Sequence, residues 1–113
     1  MSFEDMMKEL QKEYIANLPN KITAIQSHFD NMNVSALEDE FHKIKGTGKT
    51  YGVPELSVLA KVLEDACKKN HNIKELLPPT IKILKKIEDS RKNGSEFKIE
   101  SDSLFQDVTK LAA

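Results

Sequence analysis

The sequence lacks a second cysteine and an excess of either charge. Cys67 is the only cysteine in 113 residues, which excludes an internal disulfide and favours a reducing compartment. The 17 Lys and Arg residues nearly balance the 18 Asp and Glu residues, leaving a net charge of −1. This balance argues against nucleic acid or an anionic membrane as the principal partner. Cys67 lies among apolar residues and is expected to be a small buried side chain.

Long hydrophobic runs are also missing. The first ten residues, MSFEDMMKEL, carry acidic side chains where a signal peptide would carry basic ones, and their apolar positions are spaced rather than continuous. We therefore expect a cytoplasmic protein that is neither exported nor membrane-spanning. No cluster of Cys, His and carboxylate residues has metal-ligand spacing, so we expect no metal and no cofactor bound by this chain alone.

Strand-like alternation is absent as well, and apolar residues instead recur every three or four positions, as in amphipathic helices. Proline, glycine and capping residues divide the chain into predicted helices at about 2–18, 19–32, 35–52, 54 to the polar stretch KKNHN, 78–93 and 103–111. Short connections imply antiparallel neighbours. We predict one all-α domain over residues 1–113, an antiparallel up-and-down four-helix bundle with an extra N-terminal helix and a short C-terminal helix.

The stretch KGTGKT at residues 45–50 looks like the end of a nucleotide-binding P-loop. That motif requires a glycine five residues before its last glycine, and Lys43 stands there. It also requires a preceding strand, whereas SALEDEFHKIK has helical periodicity. The P-loop interpretation therefore fails, and we expect no ATP site and no kinase activity.

The third predicted helix divides its residues between two faces. At roughly 100° per residue, an apolar stripe lies on one side, while His42, Lys45, Gly46 and Lys49 share the solvent side within about 60°. The apolar stripe consists of Leu37, Phe41, Ile44, Gly48 and Tyr51. An exposed imidazole beside ammonium groups can attack an electrophilic phosphorus while the cations balance charge on the transferring oxygens.

Two glycines so close together are costly in a helix, at about 1 kcal/mol each relative to alanine. For Gly46, on the histidine face, we expect the compensation to be close approach by another protein. For Gly48, on the core face, we expect tight helix–helix packing.

The segment HKIKGTGKTYG resembles the His-x-(Leu/Ile)-Lys-Gly signature of histidine-containing phosphotransfer (HPt) domains, and Gly52 matches their second glycine. VPELSVLAKVLE is similar to the family's next helix, and the similarity covers about residues 19–92. The resemblance implies four antiparallel helices and a phosphorylated His42. It also implies that Lys45 stabilises the phosphate and that Gly46 opens the surface to a receiver domain.

Two further roles follow from the resemblance. In some members, chiefly chemotaxis-type kinases, a glutamate at the position of Glu64 hydrogen-bonds the far nitrogen of the histidine and orients the ring, the alternative being an ordinary surface glutamate. Lys49 is a second cation that could strengthen phosphate binding or guide an acidic receiver surface, the alternative being a solvated lysine. His28 and His71 lack lysine and glycine neighbours of this kind and receive no role.

The function implied by the resemblance is a phosphohistidine carrier. It would relay phosphoryl groups between a sensor kinase or receiver-domain aspartate and another receiver domain, be phosphorylated only by other proteins, and rely on magnesium held by the partner. We expect a monomer. The alternative is a helical docking adaptor that binds receiver domains without accepting phosphate.

Overall fold

Six α-helices and one 3₁₀ turn make up the regular structure in a computed structural model that describes residues 2–113. The helices are α1 (Phe3–Ala16), α2 (Leu18–Asp30), α3 (Val34–Thr50), α4 (Pro54–Lys69), α5 (Ile73–Lys92) and α6 (Ser103–Ala112), with the 3₁₀ turn at Ile99–Ser101. Within the described residues there is no β-strand, and no helix is both long and apolar enough to cross a bilayer. The all-α prediction is confirmed.

Helices α2 to α5 form the four-helix bundle. Each contacts the next along the chain, and α2 also contacts α5, which closes the ring. Three-residue connections join α2 to α3, α3 to α4 and α4 to α5, so neighbours run antiparallel. The most extensive contact is between α3 and α4, the two helices that carry the predicted functional residues.

The core is a single cluster of buried apolar side chains contributed by every helix. Its largest fully buried members are Leu18, Ile25, Leu37, Phe41, Ile44, Leu56, Leu59, Leu63, Leu76, Ile83, Leu84 and Ile87. Burial of this apolar surface is the main term that stabilises the bundle. Cys67 belongs to the same cluster, as expected, and its burial, with smaller effects of Glu38 and Glu64, raises the pKa of the thiol to about 11.

The start of the fifth helix differs from the prediction. The sequence pattern places it at Pro78-Pro79, but α5 begins at Ile73 and both prolines lie inside it. Prolines lack an N–H, so the carbonyls of Lys74 and Glu75 lose their helical donors; both residues are exposed, and water can hydrate these carbonyls. Burial of Ile73 and Leu76 in the core stabilises the first turns despite the prolines.

Helix starts elsewhere follow capping chemistry. The hydroxyl of Ser2 accepts a hydrogen bond from the backbone N–H of Asp5, so the predicted cap of α1 is confirmed. At α3 the cap is Asn33, whose side chain accepts from the N–H of Ala36, so this helix begins before its predicted start at residue 35. Because the side-chain oxygen of Asn33 is a suitable acceptor, the helix begins at Val34.

The N-terminal half of α1 extends beyond the core. Phe3 and Met6 are 72% and 48% exposed, although the three- and four-residue spacing of apolar residues predicts that both lie on the apolar side of α1. The C-terminal half is attached to the end of α3 by polar contacts. The Gln11 amide donates to the carbonyls of Tyr51 and Gly52 at 3.0 and 3.2 Å. The Tyr14 ring also stacks on Tyr51, with 5.0 Å between centroids.

The C-terminal segment covers one side of the bundle. Helix α6 packs on α4 and α5 through its apolar face, confirming the predicted helix at residues 103–111. Polar contacts hold the segment at both ends, including Lys86 with Asp102 at 2.9 Å and Asn72 with the carbonyl of Leu111 at 2.9 Å. The carboxylate of Glu55 also accepts a hydrogen bond from the backbone N–H of Phe97 at 3.1 Å.

Candidate functional site

Helix α3 presents His42 to solvent because its opposite face is held in the core. Leu37, Phe41 and Ile44 are buried, and the 3.6-residue period then turns His42 outward, where its side chain is 68% exposed. Gly46 and Lys49 are exposed one and two turns farther along the helix, and Lys45 is partly buried at the edge of the same face. The predicted division of the helix into two faces is confirmed, except that Tyr51, predicted in the buried stripe, is half-buried and lies just after the helix.

Glu64 of α4 joins two of these groups. One carboxylate oxygen lies 2.6 Å from Nδ1 of His42, and the other lies 2.6 Å from Nζ of Lys45. The Glu64 side chain is only 3% exposed, so it is not an ordinary surface glutamate. A single buried carboxylate therefore bridges the imidazole and the ammonium group across the α3–α4 interface.

The charge state of Glu64 follows from these contacts. The hydrogen bond from Lys45 is the largest influence and lowers the pKa of the carboxyl group; burial opposes it, and the His42 contact and the charges of Lys45 and Lys68 add to the lowering. The carboxylate is therefore ionised at neutral pH. An ionised carboxylate only accepts hydrogen bonds, so Nδ1 of His42 carries a proton, and in the neutral imidazole the free lone pair is then on Nε2.

The two glycines of α3 lie in opposite environments. A Cβ built on Gly46 meets no atom within 4 Å, so the surface beside His42 is open. A Cβ on Gly48 would lie 2.6 Å from Oγ of Ser57, which agrees with the tight helix packing expected there. Gly52 follows the helix with φ of +75°, the left-handed conformation that glycine favours after a helix end.

The KGTGKT stretch forms the last turns of α3 rather than a loop. Its backbone N–H groups from residue 45 onward serve the helix, so they are not available to wrap a phosphate as a P-loop does. The hydroxyls of Thr47 and Thr50 donate back to the carbonyls of Lys43 and Gly46, which also belongs to helical geometry.

Several contacts around the site could not be predicted from the sequence. The hydroxyl of Ser57 on α4 donates to the carbonyl of Lys45 at 2.7 Å, and the phenol of Tyr14 lies 2.8 Å from the hydroxyl of Thr47. Both pairs join distant segments through single polar atoms. Serine and tyrosine are too common in amphipathic helices for their positions alone to indicate such partners.

The other histidines lie away from this face. His28 is in the last turn of α2, and His71 is an exposed turn residue after α4. Among the residues that the structure describes, no group of three or more His, Cys, Asp or Glu side chains could hold a metal ion.

The arrangement can perform one kind of chemistry directly. An exposed imidazole has one nitrogen fixed as a donor and the other free as a nucleophile, and a lysine ammonium group lies beside the same carboxylate. Such a group can accept an electrophile presented by another protein across the open surface at Gly46.

Comparison with known protein families gives one match. The sequence model of the family described as Hpt domain matches residues 9–93 of the 113, a span that includes all of α2 to α5 and both helices of the site. No curated protein and no solved structure matches the chain.

Proposed function

The chain belongs to the Hpt domain family, and on that premise we propose that His42 is the residue that carries the phosphoryl group. Hpt domains transfer phosphoryl groups through histidine in phosphorelay signalling. The observation that carries the assignment is the contact between Glu64 and Nδ1 of His42, at 2.6 Å, on a side chain that is 68% exposed. His28 and His71 have no such carboxylate partner within residues 2–113.

The transfer step follows from the proton position. The Nε2 lone pair of His42 attacks the phosphorus of an aspartyl phosphate on a receiver domain, in line with the bond to be broken. A nitrogen–phosphorus bond forms, the phosphorus–oxygen bond to the aspartate breaks, and the electron pair leaves with the aspartate carboxylate. Nδ1 keeps its proton, so the ring becomes positive, and the negative charge of Glu64 stabilises it. The reverse reaction passes the phosphoryl group to the next receiver.

Lys45 has the second role in this proposal. Its ammonium group has three donors, so one can remain on Glu64 while another reaches an oxygen of the transferring phosphoryl group. The positive charge of Lys45 then balances the negative charge on the oxygens of the transferring phosphoryl group. We assign Gly46 to partner docking because it leaves the surface beside His42 open, and Lys49 because its exposed charge lies on the same face.

The carrier has partners rather than cofactors in this proposal. A receiver-domain aspartate or a sensor kinase supplies the phosphoryl group, another receiver domain accepts it, and magnesium belongs to the partner. We propose that the chain is a cytoplasmic monomer without an ATP site of its own. Support for the last point comes from the helical conformation of KGTGKT.

The test is phosphorylation by a partner. The purified chain is incubated with phosphorylated receiver domains, or with sensor kinases and ATP, and the acid-labile phosphate is mapped. We expect label on His42, no label on the His42→Gln variant, and normal labelling of His71→Gln, the matched exposed histidine. A folded protein that binds receivers but takes no label from a broad panel of donors would instead be a docking adaptor.

A further inference from the structure

Helices α3 and α4 approach each other closely at Gly48. A Cβ at this position would lie 2.6 Å from Oγ of Ser57, 3.0 Å from the backbone nitrogen of Ser57 and 3.1 Å from the carbonyl oxygen of Val53. All three distances are below the 3.4 Å at which ordinary van der Waals contact begins. Two of the three atoms belong to the backbone and cannot rotate away. Even the methyl group of alanine therefore requires the backbone to move at Val53, just before α4, and at Ser57 within it.

Hydrogen bonds hold the two helices at this separation. The backbone N–H of Val53 donates to the carbonyl of Gly48 at 2.7 Å, closing the turn between the helices. One turn into α4, the hydroxyl of Ser57 donates to the carbonyl of Lys45, also at 2.7 Å. Gly48 and Ser57 are both buried. The beginning of α4 is thus fixed against the end of α3 by backbone and side-chain contacts.

The same two helices carry the site a short distance away. Glu64 follows Ser57 by two turns, about 10 Å along α4, and His42 precedes Gly48 by about 9 Å along α3. Both contacts of Glu64 are 2.6 Å long. The usual N–H···O range ends at about 3.2 Å, so a shift of α4 by about 0.6 Å takes both contacts out of that range, and smaller shifts lengthen them. Packed helices transmit such shifts because protein interiors are incompressible.

We propose that Gly48 is a positioning residue for phosphoryl transfer. Its missing side chain sets the distance between α3 and α4 at which the carboxylate of Glu64 reaches both Nδ1 of His42 and Nζ of Lys45. Gly48 touches no reacting atom and acts through Glu64. This inference rests on the proposed function of His42 as phosphoryl carrier. It adds that Gly48, through Glu64, keeps the proton on Nδ1 of the His42 ring.

The test compares two alanine substitutions in the same helix. Gly48→Ala and Gly46→Ala make the same change in helix propensity, but only Gly48 has atoms within 4 Å of the new methyl group. The protonated ring nitrogen of His42 is identified from imidazole ¹⁵N chemical shifts of the partner-free protein. We expect wild type and Gly46→Ala to show the Nδ1–H form. We expect Gly48→Ala to lose that form by at least about twofold in population and to slow phosphoryl transfer about tenfold.

A second substitution checks the mechanism by rescue. Ser57→Ala removes the oxygen that lies 2.6 Å from the position of the alanine methyl group but leaves the backbone contacts at 3.0 and 3.1 Å. The double variant Gly48→Ala/Ser57→Ala should therefore have an Nδ1–H population between those of Gly48→Ala and Ser57→Ala. If Gly48→Ala does not fold, the double variant and Ser57→Ala are compared alone, with the lower Nδ1–H population expected in the double variant.

The outcomes separate this inference from the proposed function. A folded Gly48→Ala protein with the wild-type imidazole spectrum and a transfer rate within about twofold of wild type would overturn the inference. A lower melting temperature with an unchanged imidazole spectrum would also overturn it, since Gly48 would then be only structural. If wild type accepts no phosphate on His42 while Gly48→Ala still changes the ring proton, the proposed function fails and the coupling between Gly48 and Glu64 stands.

Discussion

The carboxylate of Glu64 lies 2.6 Å from Nδ1 of His42 across the interface between α4 and α3. Its second oxygen lies at the same distance from Lys45. The imidazole is thereby held in one orientation and one tautomer, although most of its surface is exposed. In the proposed phosphoryl carrier, which works by positioning rather than by its own acid–base chemistry, this contact determines which nitrogen is the nucleophile.

Replacing Glu64 with glutamine should slow phosphoryl transfer without unfolding the bundle. The amide keeps the size of the side chain but loses the charge that opposes the positive ring, and its NH₂ group can face Nδ1 and favour the wrong tautomer. We expect the rate to fall about 10- to 100-fold, measured by rapid mixing with a phosphorylated receiver domain. The matched control is Asp65→Asn, an exposed acid one position along α4, which should transfer at the wild-type rate. Equal rates for the two variants would contradict the role of Glu64.

Removing Lys45 should raise the pKa of Glu64. The Lys45 hydrogen bond is the largest cause of the lowered pKa, and burial opposes it. Because the folded-state pKa lies below the ordinary value of 4.5, the carboxylate stabilises the fold above that pH, and this contribution disappears as the pH falls through the folded-state value. In Lys45→Met, burial remains while the main lowering contact is gone, so Glu64 should take up a proton at higher pH.

The carboxyl ¹³C signal of Glu64, followed from pH 3 to pH 7, measures this shift directly. The free energy of unfolding of Lys45→Met at pH 7 should also fall. We expect a loss of only about 1–2 kcal/mol, because Lys45 is partly exposed and solvent weakens its ion pair with Glu64. Lys49→Met is the control, since Lys49 is exposed and makes no ion pair within the described part of the chain. An unchanged titration midpoint for Glu64 in Lys45→Met would contradict the prediction.

The sequence predicts the His42 face because helical periodicity alone determines it. Burial of Phe41 and Ile44 requires the adjacent histidine to point outward, and no tertiary information is needed. The reach of Glu64 is different, because it depends on the separation of two helices. That separation is set by Gly48 and Ser57, which lie on different helices. The periodicity of either helix alone does not predict that these two residues meet. The role predicted for Glu64 therefore comes from the family resemblance.

The sequence is less informative where tertiary packing overrides local signals. Pro78 and Pro79 are strong signals for a helix start, yet burial of Ile73 and Leu76 extends α5 through them toward the N-terminus. The exposure of Phe3 could not be read from spacing either. Amphipathic periodicity identifies an apolar face but does not tell whether the core reaches it.

Removing Arg91 should destabilise the protein strongly. Its guanidinium group makes two hydrogen bonds with Glu55, at 2.9 and 2.7 Å, and the Glu55 side chain is almost fully buried. Arg91→Met leaves that carboxylate buried without its cation, which we expect to reduce the free energy of unfolding by about 3 kcal/mol. Urea denaturation measures the change. The neighbouring variant Lys92→Met breaks the more exposed pair with Glu88 and should cost less than about 0.5 kcal/mol.

The same substitution should loosen the C-terminal segment, because Glu55 also accepts the backbone N–H of Phe97. A buried carboxylate without its cation gains stabilisation by turning toward water, and this movement weakens the contact of Glu55 with that N–H. Amide hydrogen exchange at Phe97 should therefore be faster in Arg91→Met than in Lys92→Met. Equal exchange rates in the two variants would show that α6 holds the segment without help from this ion pair.

Replacing Thr80 with valine should stabilise the protein. Thr80 is fully buried in α5, and its hydroxyl has no hydrogen-bond partner among residues 2–113. Burying an unpaired hydroxyl costs about 1–3 kcal/mol, and valine has the same shape and a similar helix propensity. We expect Thr80→Val to raise the free energy of unfolding by about 1 kcal/mol in urea denaturation. Thr80→Ala should be about 1 kcal/mol less stable than Thr80→Val because it also removes a buried methyl group.

Thr23→Val is the surface control for this substitution. The Thr23 hydroxyl donates to the carbonyl of Pro19 on the exposed side of α2, so its loss should change stability by less than about 0.5 kcal/mol. If Thr80→Val is less stable than wild type, the Thr80 hydroxyl must have a partner in solution, and a buried water is the group of suitable size. The sign of the change at Thr80 therefore distinguishes an unpaired hydroxyl in the core from a hydrated one.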